Sequence, residues 1–96
     1  MSFKLPESVS IGGHEIKIKV GKLKKSHAEY DADAYCVTVD PDVAPDKVEM
    51  YLFHELVHAA LHISGVDNAL KIEQEESICW ALQHMLFPLY QRRKQK

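Results

Sequence analysis

Hydrophobic residues recur along this chain with two different periods. In the first half they alternate. EIKIKV sets Ile16, Ile18 and Val20 against Glu15, Lys17 and Lys19, and AYCVTVD puts Tyr35, Val37 and Val39 on one side before ending at Asp40-Pro41. A period of two belongs to a strand with one face buried and the other wet. SVSI, ahead of Gly12-Gly13, supplies the other arm of a hairpin, since paired glycines suit a tight turn. GKLKKSHAEYDAD, between the two alternating runs, reads as a long polar connection. The expected sheet has three strands, antiparallel or mixed.

From Pro45 onward the spacing is helical. Val48, Leu52, Leu56, Ala59 and Ile63 recur at three- and four-residue intervals, and Gly65 offers a stop. Pro45 suits the first helical turn, where Asp46 and Glu49 complement the dipole. Asp67 or Asn68 is then placed to cap a second helix carrying the stripe Ile78, Leu82, Met85 and Leu89, which Pro88 kinks or ends. Trp80 and Phe87 are assigned to the core, and the basic tail at 91–96 is expected to fray. The fold class is therefore α+β, a small three-stranded sheet followed by a two-helix hairpin, with residues 1–96 forming one domain.

Composition adds limits. A chain of 96 residues buries a modest core, so a bound metal or partner would add usefully to its stability. Twelve Lys plus Arg against 14 Asp plus Glu, a net charge of −2, give no basic field for nucleic acid or anionic lipid. MSFKLPESVS has no apolar signal core, no apolar run reaches membrane-spanning length, and Cys36 and Cys79 form no CxxC pair. The expectation is a soluble cytoplasmic protein without a nucleic-acid or membrane partner.

The chemistry concentrates in YLFHELVHAALHISG, residues 51–65. His54 and His58, four residues apart, share a helix face and can aim two imidazole nitrogens at one zinc ion near 2 Å. Glu55 sits beside them as a base for a water molecule, the H-E-x-x-H arrangement. Three polar residues inside an apolar helix would each cost stability unless paired, which favours a site over chance spacing. A catalytic zinc needs a third protein ligand. His62 continues the series but lies about 12 Å along the axis from His54, so it is expected to pack or to support the site. The cluster KIEQEES is the better source. If Gly65 to Asn68 turns the chain tightly, His58 lies as far before the turn as Glu75 lies after it. Glu75 also shares the apolar stripe and is preferred, whereas Glu76 is level but rotated by about 100° and stays an alternative. Glu73 is expected in solvent.

These segments together resemble the compact HExxH metallopeptidases of the ImmA/IrrE-like group, especially small phage and prophage forms. The hairpin VSIGGHEIKIKV, the strand CVTVD, the helix with LFHELVHAALH, the glycine turn and the helix EQEESICWALQHML carry the resemblance, which covers most of the chain. It implies a gluzincin-like site: His54 and His58 as zinc ligands, Glu55 as catalytic base, and Glu75 or Glu76 as third ligand. The implied activity is zinc-dependent hydrolysis of a peptide bond in a protein substrate, such as a repressor or another regulator. YCVTVD would line the substrate cleft if it lay at the sheet edge. Tyr30, Tyr35, Tyr51, His27 and His84 are the candidates for stabilising an oxyanion. The competing expectation is a catalytically silent, zinc-stabilised binding module of phage origin, its coordination closed by His62 or a second carboxylate. A metal-free protein whose histidines simply pack is the third.

Overall fold

The computed structural model describes residues 5–88, so Leu89 and the basic tail at 91–96 lie outside it. Four strands, β1 (Ser8–Ile11), β2 (His14–Val20), β3 (Ala28–Asp31) and β4 (Cys36–Val39), are followed by α1 (Pro45–Ser64), a 3₁₀ turn (Val66–Ala69) and α2 (Ile72–Met85). The strands form one mixed sheet in the order β1-β2-β4-β3. Gly12 and Gly13, at φ 56° and 83°, make the β1–β2 hairpin, whose arms pair antiparallel. β2 and β4 pair parallel, with Ile18 opposite Val37. Parallel neighbours need a long crossover. Here it runs out to the far edge as β3 and returns antiparallel into β4, with Tyr30 opposite Val37.

Two expectations are corrected by this sheet. It has four strands, because Ala28–Asp31, inside the stretch read as a connection, is a strand of its own. The edge strand beside the helices is consequently β3, and YCVTVD is central. β3 alternates as a strand should, with Ala28 buried, Tyr30 half-buried and Glu29 and Asp31 exposed, but it is too short to stand out among polar neighbours. Val20 also departs from its pattern: at the end of β2 it is 60% exposed.

Ile16, Ile18, Val37, Val39 and Ala28 pack with Val43, Leu52 and Ala59 as one core between the sheet and α1. Leu56, Ile63 and Val48 flank it, so the expected stripe on α1 is the buried one. Helix α1 begins at Pro45 and ends at Gly65, which takes the left-handed conformation (φ 82°) that glycine adopts without a Cβ penalty. The turn after it is longer than expected. The 3₁₀ segment takes up Asp67 and Asn68, and α2 starts at Ile72, with the Lys71 N–H donating to the Gln74 side chain at 2.8 Å.

Helix α2 runs back along α1, pairing Phe53 with Phe87 and His54 with Gln83, then His58 with Glu75. Its inner face is not the stripe expected. Met85 is 71% exposed, while Cys79 and Gln83 are buried and Ile78 and Leu82 are only half-buried. The helix is turned so that Gln83 and Glu76 reach the histidines of α1, and hydrogen bonds made in a buried place outweigh the apolar stripe. Phe87 is in the core at 4% exposure, but Trp80, at 44%, is not.

Candidate metal centre

His54, Glu55 and His58 project from the middle of α1, the two histidines toward α2 and Glu55 toward the backbone of β3. The two imidazoles sit edge to face, with centroids 5.1 Å apart. His54 Nδ1 donates to Gln83 Oε1 at 2.9 Å, and His58 Nδ1 lies 2.6 Å from Glu75 Oε2. A carbonyl and a carboxylate oxygen can only accept, so each Nδ1 carries the proton. A neutral imidazole then presents a lone pair at Nε2, and a protonated one an N–H. Both Nε2 atoms face one oxygen: Glu76 Oε1 stands 2.7 Å from that of His54 and 3.2 Å from that of His58.

Three lone pairs aimed at one place repel one another unless a positive charge stands between them. A proton on an imidazole does this, and so does a divalent cation. Two imidazole nitrogens and one carboxylate oxygen are a donor set that suits zinc, and outer partners on the Nδ1 atoms are the usual means of orienting zinc-binding histidines. The residues therefore fit the ion that their spacing suggests. A fourth donor is also at hand: the ligating atoms of His54, His58 and Cys79 lie within 4.8 Å of one another. Cys79 is fully buried, and its thiol is pushed up to about 12 by burial and by the negative charges of Glu76, Glu75 and Glu55.

The electrostatics follow the geometry. Burial raises the Glu55 pKa above the ordinary glutamate value, only partly offset by His58, His54 and a bond from the Tyr30 backbone N–H. Burial alone would lower His58, but its bond to Glu75 and the charges of Glu55 and Glu76 hold it above the usual histidine value. Burial would raise Glu76, yet the two histidines hold it below the usual carboxylate range.

The chain brings Glu75 and Glu76 both to the histidines, at different nitrogens. His62 lines the recess beside His58 but is not among the converging groups: its Nδ1 meets the Tyr30 hydroxyl at 2.9 Å, and its ring packs on Tyr30 and Tyr35. Glu73 is exposed. Among the residues weighed for an oxyanion, Tyr30 lines a recess of about 440 Å³ with Glu55 and His58. Tyr51 and His27 line a second, of about 430 Å³, with His54 and Glu55. Tyr35 stacks on His14 and His84 on Trp80, and neither lines these recesses. The recesses meet at Ala28, Glu55 and Glu76, so a groove follows edge strand β3 past the histidines. Gln83 and Cys79 are the members that sequence reasoning missed, Cys79 for want of a CxxC spacing. For Gln83 the signal was its place two turns after Glu76, a polar residue on the same face of α2.

Compared with protein-family models, curated proteins and solved structures, the chain finds no match. Among the described residues no helix is long and apolar enough to cross a membrane.

Proposed function

We propose that this protein is a zinc-dependent peptidase, of the ImmA/IrrE-like kind that its motifs resemble, acting in the cytoplasm on a protein substrate. The observation that carries the reading is the convergence of His54 Nε2, His58 Nε2 and Glu76 Oε1 while both Nδ1 atoms are held by Gln83 and Glu75. His54, His58 and Glu76 would hold the ion, and Glu75 would orient His58. A zinc ion there would polarise a substrate carbonyl and lower the pKa of nearby water toward about 7. Glu55, adjacent and raised in pKa, takes a proton from the attacking water on its carboxylate and returns it to the leaving amine nitrogen. The groove along β3 offers an extended peptide a strand edge to lie against. Two free cysteines, both buried, accord with a reducing compartment.

Metal analysis of the purified protein and three variants tests this. The wild type is expected to hold one zinc per chain, and Glu76→Gln to lose it. Glu75→Gln should keep zinc at reduced affinity. Glu55→Gln should keep the metal and lose peptide hydrolysis by about 10²–10⁴-fold. Zinc retained by Glu76→Gln but lost by Glu75→Gln would exchange the roles of the two glutamates. Absence of zinc from the wild type would end the reading.

Cys79 favours one second reading, a metal-stabilised binding module without turnover. A thiolate donor from inside would add to the two histidines and the carboxylate and close the site. Cobalt substitution separates the two: a strong thiolate-to-cobalt absorption band in wild type, missing in Cys79→Ser, would support the closed module.

A further inference from the structure

The groove has two unlike arms. The arm beside His58 carries Glu29, Asp67 and Glu75 as well as Glu55 and Glu76. The arm beside His54 is lined by the rings of Trp80, His27 and Tyr51. The geometry points to this second arm as a specificity pocket that takes an aromatic side chain of the substrate, next to the bond being cut. The inference rests on the peptidase reading above and names the substrate class it implies.

Trp80 is the first ground. It is 44% exposed, a large apolar surface left in water beside the candidate centre. It is also held still. Its ring meets His54 edge-on at 4.9 Å and 61°, and stacks on His84 at 5.5 Å and 18°. The other two rings of the lining also pack together, with His27 stacked on Tyr51 at 4.7 Å and 19°. Ala28, in the same lining, is small and 8% exposed, so it leaves room. The recess of about 430 Å³ accommodates a phenyl or indole ring. Ring walls offer faces and edges that favour another aromatic ring over an aliphatic chain.

Continuity with the centre is the second ground. Ala28, Glu55 and Glu76 belong to both arms, so a peptide laid along β3 enters one arm as it leaves the other. Glu29, Asp67 and Glu75 line only the His58 arm, so the greater negative charge lies there, while Trp80, His27 and Tyr51 line only the other arm and suit an uncharged aromatic group.

Trp80 is the chain's single tryptophan, so its emission reports the pocket directly. The probe is a capped alanine pentapeptide with phenylalanine at its centre, compared with versions carrying leucine, aspartate or alanine there. With zinc-loaded Glu55→Gln protein, the phenylalanine peptide should change Trp80 emission saturably. It should bind about tenfold tighter than the alanine parent and about threefold tighter than the leucine version. Wild-type protein should cut next to the phenylalanine. With a 4-fluorophenylalanine peptide followed by fluorine NMR, Trp80→Phe should keep binding and Trp80→Ala should lose it. Cleavage of all four peptides alike, with Trp80 emission unmoved, overturns the pocket and leaves the peptidase reading standing. Aromatic-selective binding with no peptide cut supports the pocket and overturns the peptidase reading instead.

Discussion

On one side of α1, Leu52 and Ala59 close against Ile16, Ile18, Val37 and Val39 of the sheet, a contact made of hydrocarbon alone. On the other side, one helical turn holds His54 and His58 against Gln83, Glu75 and Glu76 of α2, a contact made of hydrogen bonds. The first contact is stabilised by leaving water and depends on nothing outside the chain. The second gathers carboxylates and imidazoles whose lone pairs are separated by an imidazole proton or, under the reading proposed above, by a shared cation. Its contribution would then depend on whether that cation is bound. The sheet and α1 form the scaffold, then, and α2 is joined to it partly through these polar contacts, so its seating would respond to a bound ion.

The contrast breaks most readily on the scaffold side. Ile16→Ala, at a fully buried position, should cost about 2–5 kcal/mol in thermal or urea unfolding. Val20→Ala, on the same strand but 60% exposed, should change stability by less than about 0.5 kcal/mol. Equal losses at the two positions would mean that the core does not lie where the sheet and α1 meet.

On the polar side, the expected effect depends on the metal. Zinc at a hundredfold excess over its dissociation constant should stabilise the wild type by about 2.7 kcal/mol, read as a rise in melting temperature that a chelator reverses. His54→Ala should melt at the same temperature with and without zinc. A smaller effect belongs to Gln83→Leu, which fills the space but withdraws the acceptor from His54 Nδ1. Zinc affinity should fall about tenfold by competition with a chromophoric chelator, while the fold without metal is kept. Unchanged affinity in Gln83→Leu would remove the bond to Gln83 from the account of how His54 is aimed.

The two sides also differed in how far the sequence revealed them. Helix α1 was legible end to end, because Pro45 and Gly65 act locally and the stripe from Val48 to Ile63 is read against a single period. The histidine pair was legible for the same reason. Strand β3 was not. Four residues with one buried side chain carry little signal, and β3 is fixed by pairing with β4, a partner further along the chain. Glu75 and Glu76 could be levelled with His58 from the turn, but what each meets depends on the rotation of α2. Gln83, Glu76 and Cys79 set that rotation against the pull of Ile78, Leu82 and Met85, a balance that periodicity does not weigh. Trp80 was misassigned through the same rotation, since a tryptophan on an amphipathic helix reads as core.

The smallest expected effect concerns how the scaffold fixes the groove's edge. Asp40 follows β4 and is 7% exposed. Its carboxylate accepts the N–H groups of Leu23 and Asp42, each at 2.8 Å, and its own N–H donates to the His27 carbonyl at 2.9 Å. It therefore ties down the loop that leads into β3. The bonds from Leu23 and Asp42 hold its carboxyl below the usual aspartate value of 3.8. A carboxyl with a depressed pKa in the folded chain is protonated first in the unfolded chain. Its stabilisation is thus complete above the ordinary value and drains away as pH falls through and below it. Asp40→Asn removes this titration, with one amide oxygen left to accept only one of the two N–H groups, and every carboxylate of the candidate metal centre is common to both proteins. Between about pH 5 and pH 2 the melting temperature of the wild type should fall more steeply than that of Asp40→Asn, by a few degrees. Parallel acid slopes would detach Asp40 from the placing of β3 and leave the loop to the exposed ion pair of Lys22 with Asp42.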